Sequence, residues 1–244
     1  MNMTAMRHYE RLAALFEYPG PDYPACVHKA SAAVAAACPK AAAELDVFGE
    51  SIPGGGEGLS PEALDEMQEL FTRSFDVQAI TTLSVGYVMF GDDYKRGELL
   101  VNLNREHREA GIDCGTELSD HLPNILRLMV RWQDRELVVE MVEEILRPAL
   151  RQMIAEFDPE RMEERNRLYK KHFKTLITSS AERVAIFGLP LRALAAVLDR
   201  DFALQERTQP QPKNDFLRSI RQELDIEASA EQPAPELVQL RSQS

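Results

Sequence analysis

Cysteine is scarce in this chain and badly spaced for paired use. Cys26, Cys38 and Cys114 are its only three, odd in number, widely spaced and with no Cys-x-x-Cys pair, which argues for reduced thiols in a cytoplasmic protein. Long apolar runs are missing too. The longest, Ala32 to Cys38, is far too short to cross a bilayer, and the opening MNMTAMRHYERLAALF has no uninterrupted apolar core after its basic residue. The expectation is a cytoplasmic chain that is neither exported nor inserted directly in a membrane. Positive charge is also in deficit, with 28 Lys and Arg against 40 Asp and Glu for a net charge of −12. A phosphate backbone would be repelled over most of such a surface, which argues against nucleic acid as a partner and leaves a basic peptide compatible with it.

What is present is helical periodicity. A first helix is expected from about Thr4 to Glu17, burying Tyr9, Leu12, Ala13 and Phe16 and stopped by Tyr18-Pro19-Gly20-Pro21. An alanine-rich helix follows from about Tyr23 to Ala37. The glycines of Ser51 to Gly58 form a loop and not a phosphate cradle, because no Lys-Ser or Lys-Thr follows and no strand precedes them. Ser60-Pro61-Glu62 then opens a helix whose inner face is Leu64, Met67, Leu70 and Phe71. Arg135 to Phe157 reads as one long helix kinked at Pro148. Asp158-Pro159 starts the next, striped by Met162, Tyr169, Phe173, Leu176 and Ile177, and Leu191 to Leu204 closes the globular part. Strand-type alternation and internal repeats are lacking, so the fold class is all-α, a single-domain helical bundle over 1–206. Residues 207–244 turn to Gln, Pro, Ser and charge and are expected to form a flexible C-terminal tail, mostly disordered, with one short amphipathic stretch carrying Phe216, Ile220 and Leu224.

The stretch from Phe71 to Met129 carries the functional signal. It holds the Phe75-Asp76 pair, the block Gly91-Asp92-Asp93-Tyr94-Lys95-Arg96-Gly97, and the turn Glu117-Leu118-Ser119-Asp120-His121-Leu122-Pro123. Leu99, Leu100 and Leu103 share one helical face after the first block, and Leu122, Ile125, Leu126 and Met129 share another after the turn, so both polar blocks lie at helix starts. Unpaired amides there suit a capping carboxylate such as Asp92 or Asp120, or a ligand's carbonyl or anion. Asp76, between Phe75 and Val77, is expected to be half-buried and to need a cap or an arginine. Lys95 and Arg96 beside Asp92 and Asp93 have the charge to hold a nucleotide or pterin phosphate, but a surface ion cluster is the ordinary explanation and no nucleotide motif accompanies them. Asp113, Cys114, Glu117, Asp120 and His121 are metal-ligand types without the paired helical spacing of known zinc and di-iron sites. Adjacent helical side chains diverge by about 100°, so Asp120 and His121 make a poor acid–base dyad. An enzyme is not expected, nor a catalytic residue, metal or cofactor.

In the order Phe-Asp, Gly-Asp followed by Arg-Gly, Ala-Gly, then Glu-Leu-x-Asp-His-Leu-Pro, the stretch resembles the NarJ/TorD group of molybdoenzyme maturation chaperones, and its nitrate-reductase (delta-subunit-type) branch in particular. Leu15-Phe16-Glu17-Tyr18-Pro19 extends the resemblance toward the N-terminus. Ser119 and His121 stand where that branch has proline and tyrosine, which leaves open whether the client is a nitrate reductase or a relative acting on another oxyanion or organic substrate. The resemblance implies a cytoplasmic, all-α, system-specific chaperone for unfolded protein binding and protein complex assembly. Its partner would be the apo catalytic subunit of a molybdenum oxidoreductase, bound by the subunit's N-terminal peptide until its molybdopterin cofactor is inserted. The peptide-binding residues it implies are Asp76, Tyr87, Asp92, Arg96, Glu117, Asp120, His121 and Leu122. A homodimer is compatible with it. Two rival readings are a helical subunit of a permanent complex and a small all-α metal-dependent enzyme using His107, Cys114 and His121.

Overall fold

A computed structural model describes residues 6–54, 56, 58–173 (side chains to 167) and 185–203. It is all-helical: among the described residues there is no strand, only one isolated antiparallel bridge between Ser84 and His121. The helices are α1 (His8–Ala13, prolonged by a 3-10 turn Ala14–Phe16), α2 (Tyr23–Ala35), α3 (Pro39–Glu50), α4 (Pro61–Phe75), α5 (Val85–Phe90), α6 (Tyr94–Glu109), α7 (Leu122–Arg131), α8 (Arg135–Met141), α9 (Arg147–Glu156), α10 (Pro159–Phe173) and α11 (Gly188–Asp201). No described helix is long and apolar enough to cross a membrane.

The helix start expected at Ser60 holds. The Ser60 hydroxyl accepts from the Ala63 amide at 3.3 Å with Pro61 in the first turn of α4. The long helix expected from Arg135 is interrupted by a π-turn over Val142–Leu146. Pro148 explains it, because its ring would clash with the carbonyl four residues back and it has no N–H to donate; widening the turn moves that carbonyl away. Two helices were not expected from the sequence. α3 buries Ala41, Ala42, Leu45 and Phe48 against α2 and α11. α5 is only six residues long and buries Val85, Gly86 and Val88. Tyr169 and Phe173 side chains, Leu176, Ile177, and the whole tail with Phe216, Ile220 and Leu224 lie outside the described residues.

One core joins these elements. Phe187, just before α11, meets Phe48 of α3 and Phe71 and Phe75 of α4 at ring separations of 5.4, 5.4 and 5.2 Å. Such tilted and edge-on contacts are the favourable aromatic geometries. α7 is closely enclosed, with Leu122, Ile125, Leu126, Leu128 and Met129 all buried, and it packs on α1. Burying each of these side chains is worth about 1.5–3 kcal/mol relative to exposure, so the turn in front of α7 is anchored on a rigid support.

Candidate functional site: a cleft beside the α5 and α7 starts

The loops that precede α5 and α7 are stitched together. The Val85 amide donates to the Asp120 carbonyl and the Leu122 amide to the Leu83 carbonyl, each at 2.9 Å, which makes the Ser84–His121 bridge. Two helix starts are thereby placed side by side. Asn124, buried in the first turn of α7, donates from Nδ2 to the Leu118 carbonyl at 3.1 Å and so holds the acidic turn closed from within. On the far side His107 bridges α6 to α7, its ring nitrogens lying 2.8 Å from the Leu103 carbonyl and 3.2 Å from that of Asn124.

This stitching buries Asp120. The side chain is 0% exposed and accepts from Arg96 Nε at 3.0 Å through Oδ2, while Oδ1 is buried with no hydrogen-bond partner among the described residues. Arg96 keeps 18% of its side chain in solvent and stacks over the Tyr87 ring at 5.3 Å. Space for the carboxylate comes from Gly86, since a Cβ there would lie 2.7 Å from Asp120 Oδ2 and 3.1 Å from Leu99 Cδ2. Two expectations are corrected. Asp120 does not cap α7, whose N-cap residue is His121 with no side-chain cap. Asp92 does not cap α6; its neighbour Asp93 does, accepting from the Lys95 amide at 2.9 Å. A carboxylate can cap only if the residue has extended backbone at the N-cap position, and in each case the helix begins one residue later than the sequence pattern suggested.

Next to this pair opens a cleft of about 690 Å³ between the end of α1, the end of α4, the 82–84 segment and the 113–117 loop. That is within the roughly 300–1,000 Å³ range of ligand clefts. Its floor is Phe16, Phe71, Phe75, Leu83 and Pro123, and Tyr18, exposed at the mouth, sets its ring edge-on to Phe71 at 5.7 Å. Its rim carries Glu17, Asp76, Asp113 and Glu117 against a single arginine, Arg127, which pairs with Glu17. Burial lowers the pKa of the Arg127 guanidinium, with Glu10 opposing. Burial also holds the His121 imidazole below its ordinary value, against the pull of Glu117 and Asp120, so near pH 7 it is neutral and the cleft's charge is negative.

The eight residues singled out in the sequence therefore separate into three places. Asp76, Glu117 and His121 line the cleft; Asp120 and Leu122 are buried beneath it; Tyr87, Arg96 and the exposed Asp92 lie on the α5–α6 side. Asp76 is exposed at the end of α4, not half-buried as expected, so no desolvation has to be offset there. His107, Cys114 and His121 form no ligand set, and among the described residues no group of three His, Cys, Asp or Glu is placed to hold a metal. Sequence reasoning weighed Asp113 only as a metal-ligand type, and missed Arg127 and Asn124 as site residues and Gly86 as the spacer. A basic residue one turn past Asn124 and a glycine inside an apolar helical run were the available signals. Comparison with models of protein families and with curated proteins gives no match for this chain.

Proposed function

We propose that the chain is a cytoplasmic maturation chaperone, binding the apo catalytic subunit of a molybdenum oxidoreductase through that subunit's N-terminal segment and holding it until its cofactor is inserted. The observation that carries the proposal is the cleft: an aromatic floor under an acidic rim, formed mostly from the stretch whose sequence resembles the NarJ/TorD chaperones. No bond need be made or broken for this task. An amphipathic segment can seat its apolar side chains on Phe71, Phe75 and Leu83 and present its basic side chains to Asp76, Asp113 and Glu117, the helix-in-groove mode of recognition. Asp120 and Arg96 then act through the fold, since their buried pair fixes the turn that carries Glu117 and His121. They need not touch the client.

The test is calorimetric titration of a synthetic N-terminal peptide from such a subunit into wild type, Asp76→Lys and Glu117→Lys. Both positions are exposed, so the variants should fold normally. The proposal expects each reversal to weaken binding about tenfold or more, equivalent to about 1.4 kcal/mol. Equal affinity in all three proteins would exclude the cleft.

A further inference from the structure

Helix α6 has a second face that the cleft does not use. Leu103 and His107 are its buried residues, with Arg96, Leu99 and Leu100 half-buried beside them. On the opposite side Tyr94 is 71% and Val101 69% exposed, the two most exposed large apolar side chains among the described residues. At about 100° per residue, Tyr94, Gly97, Glu98, Val101, Arg105 and Arg108 all fall within about 60° of one line down the helix. A Cβ at Gly97 would meet nothing within 4 Å, so the backbone is open to close approach there. All six residues are exposed.

The order of charge and ring along that line is self-complementary. Turned end for end about Val101, the face brings Glu98 within one residue of Arg105, an offset of about 1.5 Å along the axis that both long side chains span, and places Tyr94 opposite Arg108. The first is an ion pair and the second a cation–π contact, each made twice by a two-fold axis. Within one chain Glu98 and Arg105 are two turns apart, about 10 Å along the axis, and do not reach each other. Arg105 pairs instead with its neighbour Glu106 on the exposed surface at 3.0 Å, an interaction of the kind that contributes little and competes weakly. We infer that α6 is a homodimer contact, in which a second copy of this chain packs its own α6 antiparallel across Val101. The occupant is the chain itself because the apolar centre and both flanking charge positions match their own reversed image to within one residue. One helix pair covers less than about 1,200 Å² in total, and the dimer is accordingly weak and concentration-dependent. It leaves the acidic cleft open and is independent of what that cleft binds.

Sedimentation of the full chain from about 1 µM to about 1 mM brackets the dissociation constant of a weak complex. The mass should rise with concentration from 27.6 kDa toward twice that value. Glu98→Arg and Arg105→Glu should each hold it at one chain, and the double variant Glu98→Arg/Arg105→Glu should restore the rise, because only contacts between chains can be repaired by exchanging the two charges. Val101→Arg sets two like charges on the axis and should abolish association without relying on either pair. A wild type that stays at one-chain mass throughout, a Val101→Arg variant that associates as wild type does, or a charge swap that fails to restore association would overturn the inference.

Discussion

Replacing a helical glycine by alanine ordinarily stabilises a helix by about 0.5–1 kcal/mol, and two glycines in this chain should answer that change with opposite sign. Gly97 in α6 has open space around its missing Cβ, whereas a Cβ on Gly86 in α5 would lie 2.7 Å from Asp120 Oδ2, 3.1 Å from Leu99 Cδ2 and 3.3 Å from Arg96 Cγ. The carboxylate cannot swing away freely. Its Oδ2 is held by Arg96, and its own backbone carbonyl is bonded to the Val85 amide next to the glycine. Overpacking a buried site costs about 1–3 kcal/mol, which outweighs the propensity gain and leaves Gly86→Ala less stable by about 1–2 kcal/mol. For a chain this size 1 kcal/mol moves Tm by about 2–4 °C. Thermal melts in dilute solution should therefore show Gly86→Ala lowered by about 2–8 °C and Gly97→Ala raised by about 1–4 °C. Combining Gly86→Ala with Asp120→Ala should make the glycine substitution cheaper than it is alone, since the atom it strikes is gone. A Gly86→Ala protein at or above wild-type stability would refute the close packing of α5 on the Asp120–Arg96 pair.

Asp120→Ala should destabilise by about 2–3 kcal/mol, because it strips the buried carboxylate from a charge-assisted bond; the figure is below the usual cost of orphaning a buried ion since Arg96 reaches solvent. Denaturant titration checks it, and a loss under 1 kcal/mol would mean the pair is not formed. His121 supplies a pH dependence. Its folded-state pKa is lowered by burial, so the unfolded chain binds the proton more readily, and stability should fall as pH drops below the ordinary histidine value of about 6.5. His121→Gln should flatten that part of the curve in melts taken between about pH 7 and pH 5, and an unchanged slope would place the imidazole in water. Phe187→Ala should cost about 3–5 kcal/mol by emptying the centre of the aromatic cluster, a loss that a calorimetric melt would register directly.

Much of the fold was legible because its helices announce themselves chemically. Ser60-Pro61-Glu62 and Leu122-Pro123 mark starts, and the stripe Leu122, Ile125, Leu126, Met129 proved to be fully buried. α5 was not legible, since six residues give less than two turns of periodicity and Val85, Val88 and Phe90 suit a strand as well. α3 carried a readable Pro39 and an Ala41, Leu45, Phe48 stripe, masked by the alanines that run through 41–43. The candidate site was half legible. The family resemblance implied Asp76, Glu117 and His121, which line the cleft. It could not separate them from Asp120, because burial of a carboxylate depends on Arg96 arriving from 24 residues away and on a glycine in a different helix. Arg127 and Asp113 join the rim through the same long-range packing, which no spacing rule encodes.

The central claim is that the acidic cleft holds an immature molybdoenzyme subunit, and capture from the native cell tests it most directly. Tagged wild type and an Asp76→Lys/Glu117→Lys double variant would be purified in parallel, the bound proteins identified by mass spectrometry, and their molybdenum measured. The account predicts that wild type retains the catalytic subunit of a molybdenum oxidoreductase without its metal and that the double variant, equally folded, loses it. Recovery of that subunit in equal amount on both proteins, or only in its metal-loaded form, would contradict it.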